Sequence, residues 1–316
     1  MNFDLNEDQE MVRSAIEGLL AQHPAQFHGD PGFWLDGSAI AGELSEAGFM
    51  DIAREGDEAV LNAVLMIESI ARAPQAVEIM ASALIAPFIE NGADCGPIAL
   101  AMAKSQGPIR FLPQARTLLI DAGDSIRRLD LSTVATTAIQ SPYGYPLARL
   151  QDAVDPATLP LAGIEPALFR RLWRLGLSAE ILGAMSAALD ITVEYVRTRT
   201  QFGRPIGAFQ VIQHRLSECA TLVESSRLLL RDAASRTDDA AAALAAGFAQ
   251  EAAARLIYEC HQFHGAIGLT LEYPLHFWTY RLRLLQGEFG GVLAQGQAAG
   301  DALWASGQSL VEGFRV

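Results

Sequence analysis

The first part of the chain carries apolar residues at helical spacing. Asn6 is a residue type that caps helices, and Ile16 and Leu19 continue the apolar stripe that begins after it. The His23-Pro24 pair predicts the end of this helix. Three further helical patterns follow, with Gly and Pro between them: residues 38–47, 57–73 and 75–90. The pattern therefore predicts an N-terminal helical domain over residues 1–95.

The pattern changes after this domain. Short apolar runs such as PIALAMA, PIRFLP and RTLLIDAG are typical of strands. The segment Asp121–Asp124, with Gly123, fits a hairpin turn between two of them. The region is too short for a large sheet, so we expect a small, reduced β segment over residues 96–160.

The remainder returns to long helical patterns. One helix is predicted over Pro166–Thr198, and Gly203 and Pro205 mark a break after it. The predicted helices that follow run from about Ala208 to Arg236, from Thr237 or Asp238 to about His264, and onward from about Pro274 and Glu288. The sequence predicts a mainly α fold whose C-terminal domain, residues 161–316, is a four-helix bundle.

Composition narrows the class of partner and compartment. The formal net charge of -14 disfavours nucleic acid as a partner, since both surfaces are negative. The three cysteines, Cys95, Cys219 and Cys260, do not make a disulfide framework, so a reducing cytoplasm is expected. The apolar stretch Ala76–Ile89 is too short to cross a bilayer, and no membrane segment is expected.

Arginines are grouped in two places despite the negative total: Arg170, Arg171 and Arg174 form one group, and Arg197, Arg199 and Arg204 the other. The second group lies in the segment YVRTRTQFGRPIGAFQVIQHRL, at the predicted break between two helices. Arginine binds phosphate oxygens in pairs, and an aromatic ring offers a flat face, so such a bend can hold a planar, doubly charged ligand. From spacing alone, the favoured interpretation is a helix end whose arginines are only solvated.

The same segment contains the motif R-x-x-F-G-x-x-I-x-x-F-Q, beginning at Arg199. A second motif runs from Gln262 through Gly265 to Gly268 and is followed by Glu272-Tyr273-Pro274. These motifs and the opening FDLNEDQEMVRSAI resemble the acyl-CoA dehydrogenase family. The resemblance covers the N-terminal helical domain and the C-terminal bundle and is weak between them.

The resemblance implies a role for each matching residue. Arg199, Phe202 and Gln210 would hold the diphosphate and adenine side of FAD, and Gln262 and Gly265 would contact the FAD of a neighbouring subunit. The family reaction is the α,β-dehydrogenation of an acyl-CoA thioester, after which electrons pass to an electron-transfer acceptor. A carboxylate near the thioester removes the α-proton.

Three departures from the family pattern concern catalysis. The middle segment lacks a T-E-P-x-A-G-S-D-like loop against the flavin ring. Phe289 stands where the family commonly places its catalytic glutamate, with Glu288 one residue earlier, which turns a helical side chain by about 100°. Trp173 stands where other members keep their base. Glu180 lies about two turns further along and is interpreted as structural.

These departures resemble bacterial heterotetrameric (α2β2) acyl-CoA dehydrogenases of steroid side-chain degradation, in which one subunit carries the base and the other completes the FAD sites. Two alternatives stay open. One is a self-sufficient homo-oligomeric enzyme that uses Glu288 as its base. The other is a flavin-free scaffold subunit.

Other kinds of site have little support in the sequence. Cys260, His261 and His264 lie close together, but structural zinc takes four ligands, so no metal is expected. The motifs of serine hydrolases and of P-loop nucleotide-binding proteins are both absent.

Overall fold

The computed structural model describes residues 5–25, 32–56, 58–92, 96–104, 107–236 and 238–305. It is mainly α-helical, which confirms the predicted fold class. Within these ranges the helices are α1 (Glu7–Gln22), α2 (Ser38–Glu46), α3 (Ala59–Ala71), α4 (Pro166–Thr198), α5 (Gln210–Arg236), α6 (Asp239–His264), α7 (His276–Leu285) and α8 (Gly291–Ala305). The strands are β1 (Leu35–Asp36), β2 (Gln75–Ala76), β3 (Ile98–Met102), β4 (Ile109–Arg110), β5 (Thr117–Asp121), β6 (Ile126–Asp130), β7 (Thr136–Ile139), β8 (Leu147–Leu150), β9 (Thr200–Gln201) and β10 (Arg204–Pro205).

The start of α1 is a capping box. The Gln9 backbone N–H donates to the Asn6 side chain at 2.9 Å, and the Asn6 backbone N–H donates to the Gln9 side chain at 3.0 Å. The helix ends at Gln22, next to His23. Both predicted ends of this helix are therefore confirmed.

The helix predicted over residues 75–90 is confirmed only in part, since the span is neither continuous nor α-helical. The chain there forms β2, which pairs in parallel with β1, then a π-helical turn (Met80–Ile85) and a short 3-10 turn (Ala86–Phe88). Glu78 explains part of the departure, since its carboxylate accepts from the Ser82 backbone N–H and hydroxyl. A side chain that takes over a backbone donor in this way competes with regular helical bonding.

Two small sheets form the middle of the chain. In the first, β3 pairs with β5 in parallel and β5 pairs with β6 antiparallel. In the second, β8 lies between β4 and β7, antiparallel to both. The turn between β5 and β6 is the predicted one: Gly123 has a φ of 98° and its N–H donates to the Asp121 carboxylate at 2.9 Å. This confirms the predicted hairpin.

The C-terminal bundle is built around α4, which packs against α3, α5, α6 and α7. Glu165 caps α4 by accepting from the Leu168 N–H at 2.8 Å. Most of the helix is buried, and Gly183 lets the backbone of α3 approach so closely that a Cβ would collide with the Glu68 carbonyl. The predicted start at Asp238 is confirmed as the cap of α6, while Thr237 lies outside the described residues.

One described helix is long and apolar enough to cross a membrane, and it is α4. In the fold, 78% of its most apolar stretch is buried inside the protein. The helix therefore serves as the common core of the N-terminal helices and the bundle.

Candidate functional site

The bend after α4 is a short hairpin. The Arg199 N–H bonds to the Tyr195 carbonyl at 2.8 Å and ends the helix. The strands β9 and β10 then pair across a two-residue turn. After the turn, the Ile206 N–H donates a hydrogen bond to the Arg199 carbonyl at 2.8 Å. The sequence predicted a helix break here but not the hairpin, which fixes the backbone on both sides of the turn.

The turn of this hairpin holds an aromatic ring in solvent. Phe202 and Gly203 occupy its two central positions with φ values of 54° and 79°, as in a type I′ turn. The left-handed conformation is unfavourable for a residue with a side chain. Phe202 is nevertheless 91% exposed, with its ring edge-to-face against Phe209 at 6.2 Å. A residue held in this backbone conformation with its ring in solvent is a candidate for ligand contact.

The second motif lies at the same end of the bundle. Gln262 is in the last turn of α6, and Gly265 ends that helix with a φ of 61°. The Tyr195 ring, at the end of α4, stacks on the His264 ring with 4.4 Å between the centroids. The two motifs therefore form one surface. This bundle-end surface consists of the exposed residues Arg199, Phe202, Gln210, Gln262 and Gly265.

Cationic groups of this surface are available to an anion. Among the described residues, Arg199 and Arg204 have no ion-pair partner, and the Arg204 guanidinium lies 4.1 Å from the centroid of the Phe209 ring. Arg197, by contrast, is exposed with its guanidinium 3.9 Å from the Glu194 carboxylate, so it already has an acidic partner and is not one of these groups. The arrangement fits the diphosphate of a dinucleotide, since guanidinium groups bind phosphate oxygens and an aromatic face accepts a flat ring.

The other arginine group has a structural role. Arg170 donates two bonds to Asp121 at 2.6 and 2.7 Å, which joins α4 to the end of β5. Arg171 pairs with Asp239 at 3.1 Å, and Arg174 donates to Gln295 at 2.8 Å. Internal partners therefore occupy the guanidinium groups of this arginine group.

A buried ionic cluster lies between the middle sheets and the bundle. Arg110, at the end of β4, donates to Glu180 at 2.8 Å and to Glu288 at 3.0 Å. The Trp173 Nε1–H donates to the same Glu288 oxygen at 3.1 Å. We call Arg110, Glu180, Glu288 and Trp173 the Arg110 cluster. Arg110, Glu180 and Glu288 line a cavity of only about 20 Å³ together with Glu78 and neighbouring apolar residues, which is room for about one water molecule.

The electrostatics of this cluster follow from its burial. Removal from water raises the pKa of the Glu180 carboxyl, although the Arg110 guanidinium beside it opposes that shift. The two carboxylates raise the pKa of Arg110 well above its usual value, despite its burial. Glu180 is thus part of an internal ion pair, in keeping with its structural interpretation.

Both alternative positions for a catalytic base are filled by aromatic rings that touch each other. Trp173 and Phe289 stack with centroids 4.4 Å apart and planes at 15°. Both are buried. Glu288 points into the Arg110 cluster, where its carboxylate is a hydrogen-bond acceptor and mostly enclosed. The geometry therefore offers no open carboxylate at either position.

The histidines near the second motif make packing contacts. The His264 Nδ1 donates to the Cys260 carbonyl at 2.8 Å, and His261 lies 3.0 Å from the Thr279 hydroxyl. Burial lowers the pKa of both imidazoles. No group of three or more His, Cys, Asp or Glu residues in the described ranges is arranged to hold a metal. Cys95 lies outside those ranges.

The sequence did not predict that Arg110 joins Glu180 and Glu288 in a buried ionic cluster. The residue lies in a short strand of a weakly patterned region, 70 positions from Glu180 and 178 from Glu288. Its one sequence signal was a lone arginine inside the apolar run PIRFLP, which indicates a buried charge in need of a partner.

Comparison with known proteins agrees with the motifs. Residues 171–291 match the family profile described as "Acyl-CoA dehydrogenase, C-terminal domain". The acyl-CoA dehydrogenase IpdE2 of Mycolicibacterium smegmatis is 26% identical over 298 residues, which is 88% of this chain and 93% of that protein. The C-terminal part of the chain, residues 171–291, therefore resembles the C-terminal domain of acyl-CoA dehydrogenases.

Solved structures share the fold over the whole chain. The ChsE4-ChsE5 complex of Mycobacterium tuberculosis has a TM-score of 0.79 at 23% identity and covers 96% of this chain and 99% of the matched one. A variant of the Tcur3481-Tcur3483 steroid ACAD has a TM-score of 0.76 at 21% identity, with coverage of 96% and 99%. At this level of identity the likeness is one of fold.

Proposed function

We propose that the chain is the FAD-contacting, base-lacking subunit of a heteromeric acyl-CoA dehydrogenase, with the catalytic base on a partner subunit. One observation carries this proposal: the two family positions for the base hold Trp173 and Phe289, and these rings stack on each other. A stacked, buried aromatic pair removes no proton.

The bundle-end surface supplies the flavin part of the proposal. Arg199 and the Phe202 ring would hold the diphosphate and adenine side of FAD, and Gln210 would add an amide contact. When bound, FAD supplies the redox chemistry by taking a hydride from the acyl β-carbon. Gln262 and Gly265 lie on the same surface and would contact FAD shared with a partner subunit. All five side chains or backbone positions are exposed, as a site completed by another chain requires.

The partner and substrate follow from relatives rather than from contacts. IpdE2 and the ChsE4-ChsE5 and Tcur3481-Tcur3483 complexes all resemble this chain, and the last is named a steroid ACAD. We infer an α2β2 complex acting on a bulky, steroid-type CoA ester, with electrons leaving to a separate acceptor. The two small sheets in place of a large middle domain agree with a pocket wide enough for such an ester.

Glu288 as the base of a self-sufficient enzyme has less support. Its carboxylate accepts hydrogen bonds from Arg110 and Trp173, and both donors stabilise the charged form. A general base must also reach its substrate within hydrogen-bonding distance. The cavity beside Glu288, about 20 Å³, is far too small for a thioester.

The test is flavin content in the native complex. A tagged chain is purified from its host together with whatever partner binds it, and flavin absorbance is measured per complex. Arg199→Ala should lower the flavin content strongly. Arg197→Ala is the matched control, because Arg197 is an exposed arginine two positions earlier that already faces Glu194, and it should change little.

Three results would contradict the proposal. A yellow, fully active homo-oligomer made from this chain alone would favour the self-sufficient enzyme. A native complex with no flavin would favour the scaffold alternative. Equal flavin loss in Arg197→Ala and Arg199→Ala would mean that the loss comes from the change in surface charge and not from a specific contact of Arg199.

A further inference from the structure

A second cavity lies in the N-terminal half, apart from the bundle-end surface. It has a volume of about 330 Å³, within the usual range for small-molecule sites of about 300–1,000 Å³. Its walls come from α2, from the segment Ala76–Gly92, from Gly96 and Pro97 just before β3, and from Met50 and Gln114. None of the described residues that line it belongs to the bundle.

The walls are apolar and short. Most of the lining residues are alanine, glycine, proline or Met50, and the polar ones besides Glu78 are Ser38, Ser45, Ser82 and Gln114. Such side chains have few rotamers, so the shape of the cavity is fixed by backbone and suits a compact, rigid ligand. The lining includes no arginine, lysine or histidine among the described residues, so an anionic group would find no counter-charge there.

One charged side chain faces this cavity. Glu78 is only 8% exposed, and its Oε2 accepts from the Ser82 hydroxyl and from the Ile98 N–H at 3.1 Å. Its Oε1 accepts one long bond, from the Ser82 N–H at 3.3 Å. A carboxylate has about four acceptor positions, so Glu78 keeps one free acceptor position on Oε1, and the residue lines both this cavity and the cavity of about 20 Å³ beside the Arg110 cluster.

We propose that this cavity binds a compact, uncharged ring compound that carries a hydroxyl group, with the hydroxyl donating to Glu78. The apolar walls take the ring system and the free acceptor position of Glu78 takes the hydroxyl. The site is independent of the flavin function, since it shares no residue with the bundle-end surface. Binding is therefore expected whether or not the chain holds FAD.

Gly42 gives a direct way to fill the cavity. It lies in α2, lines the cavity, and a Cβ added there would meet no atom within 4 Å. Gly42→Leu should therefore place a side chain in the ligand's space while improving helix propensity. Gly18→Leu is the matched control, because Gly18 is an exposed glycine of α1 that also has free space around it and is absent from the cavity lining.

The experiment is calorimetric titration of the purified native complex with adamantanol, a rigid cage alcohol, at about pH 8. Burial raises the pKa of the Glu78 carboxyl, so a pH well above the usual carboxyl range favours its ionised form. We expect saturable binding that Gly42→Leu weakens by about tenfold or more and that Gly18→Leu leaves unchanged. Glu78→Gln should weaken the binding of adamantanol by about tenfold, because the hydroxyl loses its hydrogen bond to a charged acceptor. Adamantane carboxylate, with the same cage and an anionic group, should bind at least about tenfold more weakly than the alcohol.

The proposal is overturned by any of three results: no saturable binding of adamantanol, equal affinity in Gly42→Leu and the wild type, or equal affinity for the alcohol and the carboxylate. A thermal melt accompanies each variant. Because leucine is the better helix former, Gly42→Leu should melt no lower than the wild type, and this separates lost binding from lost folding. Failure here would leave the flavin result untouched.

Discussion

The indole of Trp173 and the phenyl ring of Phe289 lie stacked with 4.4 Å between their centroids. They come from α4 and from the turn before α8, so the contact joins two elements of the bundle. The guanidinium carbon of Arg174 lies over the Phe289 ring, 4.9 Å from its centroid. Two positions at which the sequence resemblance implied a catalytic base are thus used here for packing.

The first prediction concerns that packing. Phe289→Ala should lower the free energy of unfolding by about 3–5 kcal/mol, the usual cost of truncating a buried phenylalanine. Urea denaturation measures the change. The control Tyr143→Ala removes an exposed ring and should cost no more than about 0.5 kcal/mol. Equal effects would mean that the stacked pair is not part of the core.

The Arg110 cluster gives the second prediction. Arg110→Met leaves Glu180 and Glu288 buried without their cation, which should cost about 3–5 kcal/mol of unfolding free energy. Arg72→Met removes an exposed pair with Asp190 and should cost less than about 1 kcal/mol. The same denaturation assay compares them. An Arg110→Met protein as stable as Arg72→Met would contradict the buried ion pair.

We predict that Phe202 lowers the stability of the fold but contributes to flavin binding. Phe202→Asn creates an Asn-Gly turn, the sequence that type I′ hairpins prefer, and should raise the unfolding free energy by about 1 kcal/mol. The same variant should lower the flavin content of the native complex, because the ring is lost. Phe202→Tyr keeps the ring and should retain flavin. A Phe202→Asn complex with full flavin content would show that the exposed ring has no part in binding.

Stability should also depend on pH through His264. Burial lowers its pKa, and its Nε2 has no hydrogen-bond partner among the described residues, so the unfolded chain binds this proton more readily. The linkage sign follows: stability is lost as pH falls below about 6.5, by up to about 1.4 kcal/mol per pH unit for one group. Raised carboxyl pKa values, such as that of Glu180, act in the opposite direction.

A comparison of variants isolates the contribution of His264. Melting curves at about pH 7.5 and about pH 5.5 should differ less for His264→Gln than for the wild type, since glutamine does not titrate. His214→Gln, at an exposed histidine of α5, should keep the wild-type difference. A His264→Gln protein with the wild-type pH dependence would contradict the role assigned to burial.

The sequence predicted local features well. The limits of α4 match because Pro166 begins the helix and the signature bend ends it, and both signals are local. The Asn6 cap and the turn near Gly123 were predictable for the same reason. The family motifs also located the bundle-end surface, although its binding role remains a prediction.

What the sequence did not predict depends on distant contacts. The composition of residues 75–90 predicts a helix. In the fold, however, the Arg281 side chain donates to the Ala73 and Gln75 carbonyls from more than 200 positions away, so these carbonyls bond to a side chain where that segment begins. The Arg110 cluster likewise joins three distant segments. Local spacing carries no information about such pairs, so only the folded chain reveals them.

The most direct test of the central claim is turnover of the native complex with Glu288→Gln in this chain. If the partner subunit supplies the base, kcat should stay within about twofold of the wild type, and the control Glu180→Gln should behave alike. Loss of a general base lowers the rate by roughly 10²–10⁴. A fall of that size in Glu288→Gln alone, with flavin content and melting temperature unchanged, would contradict the account.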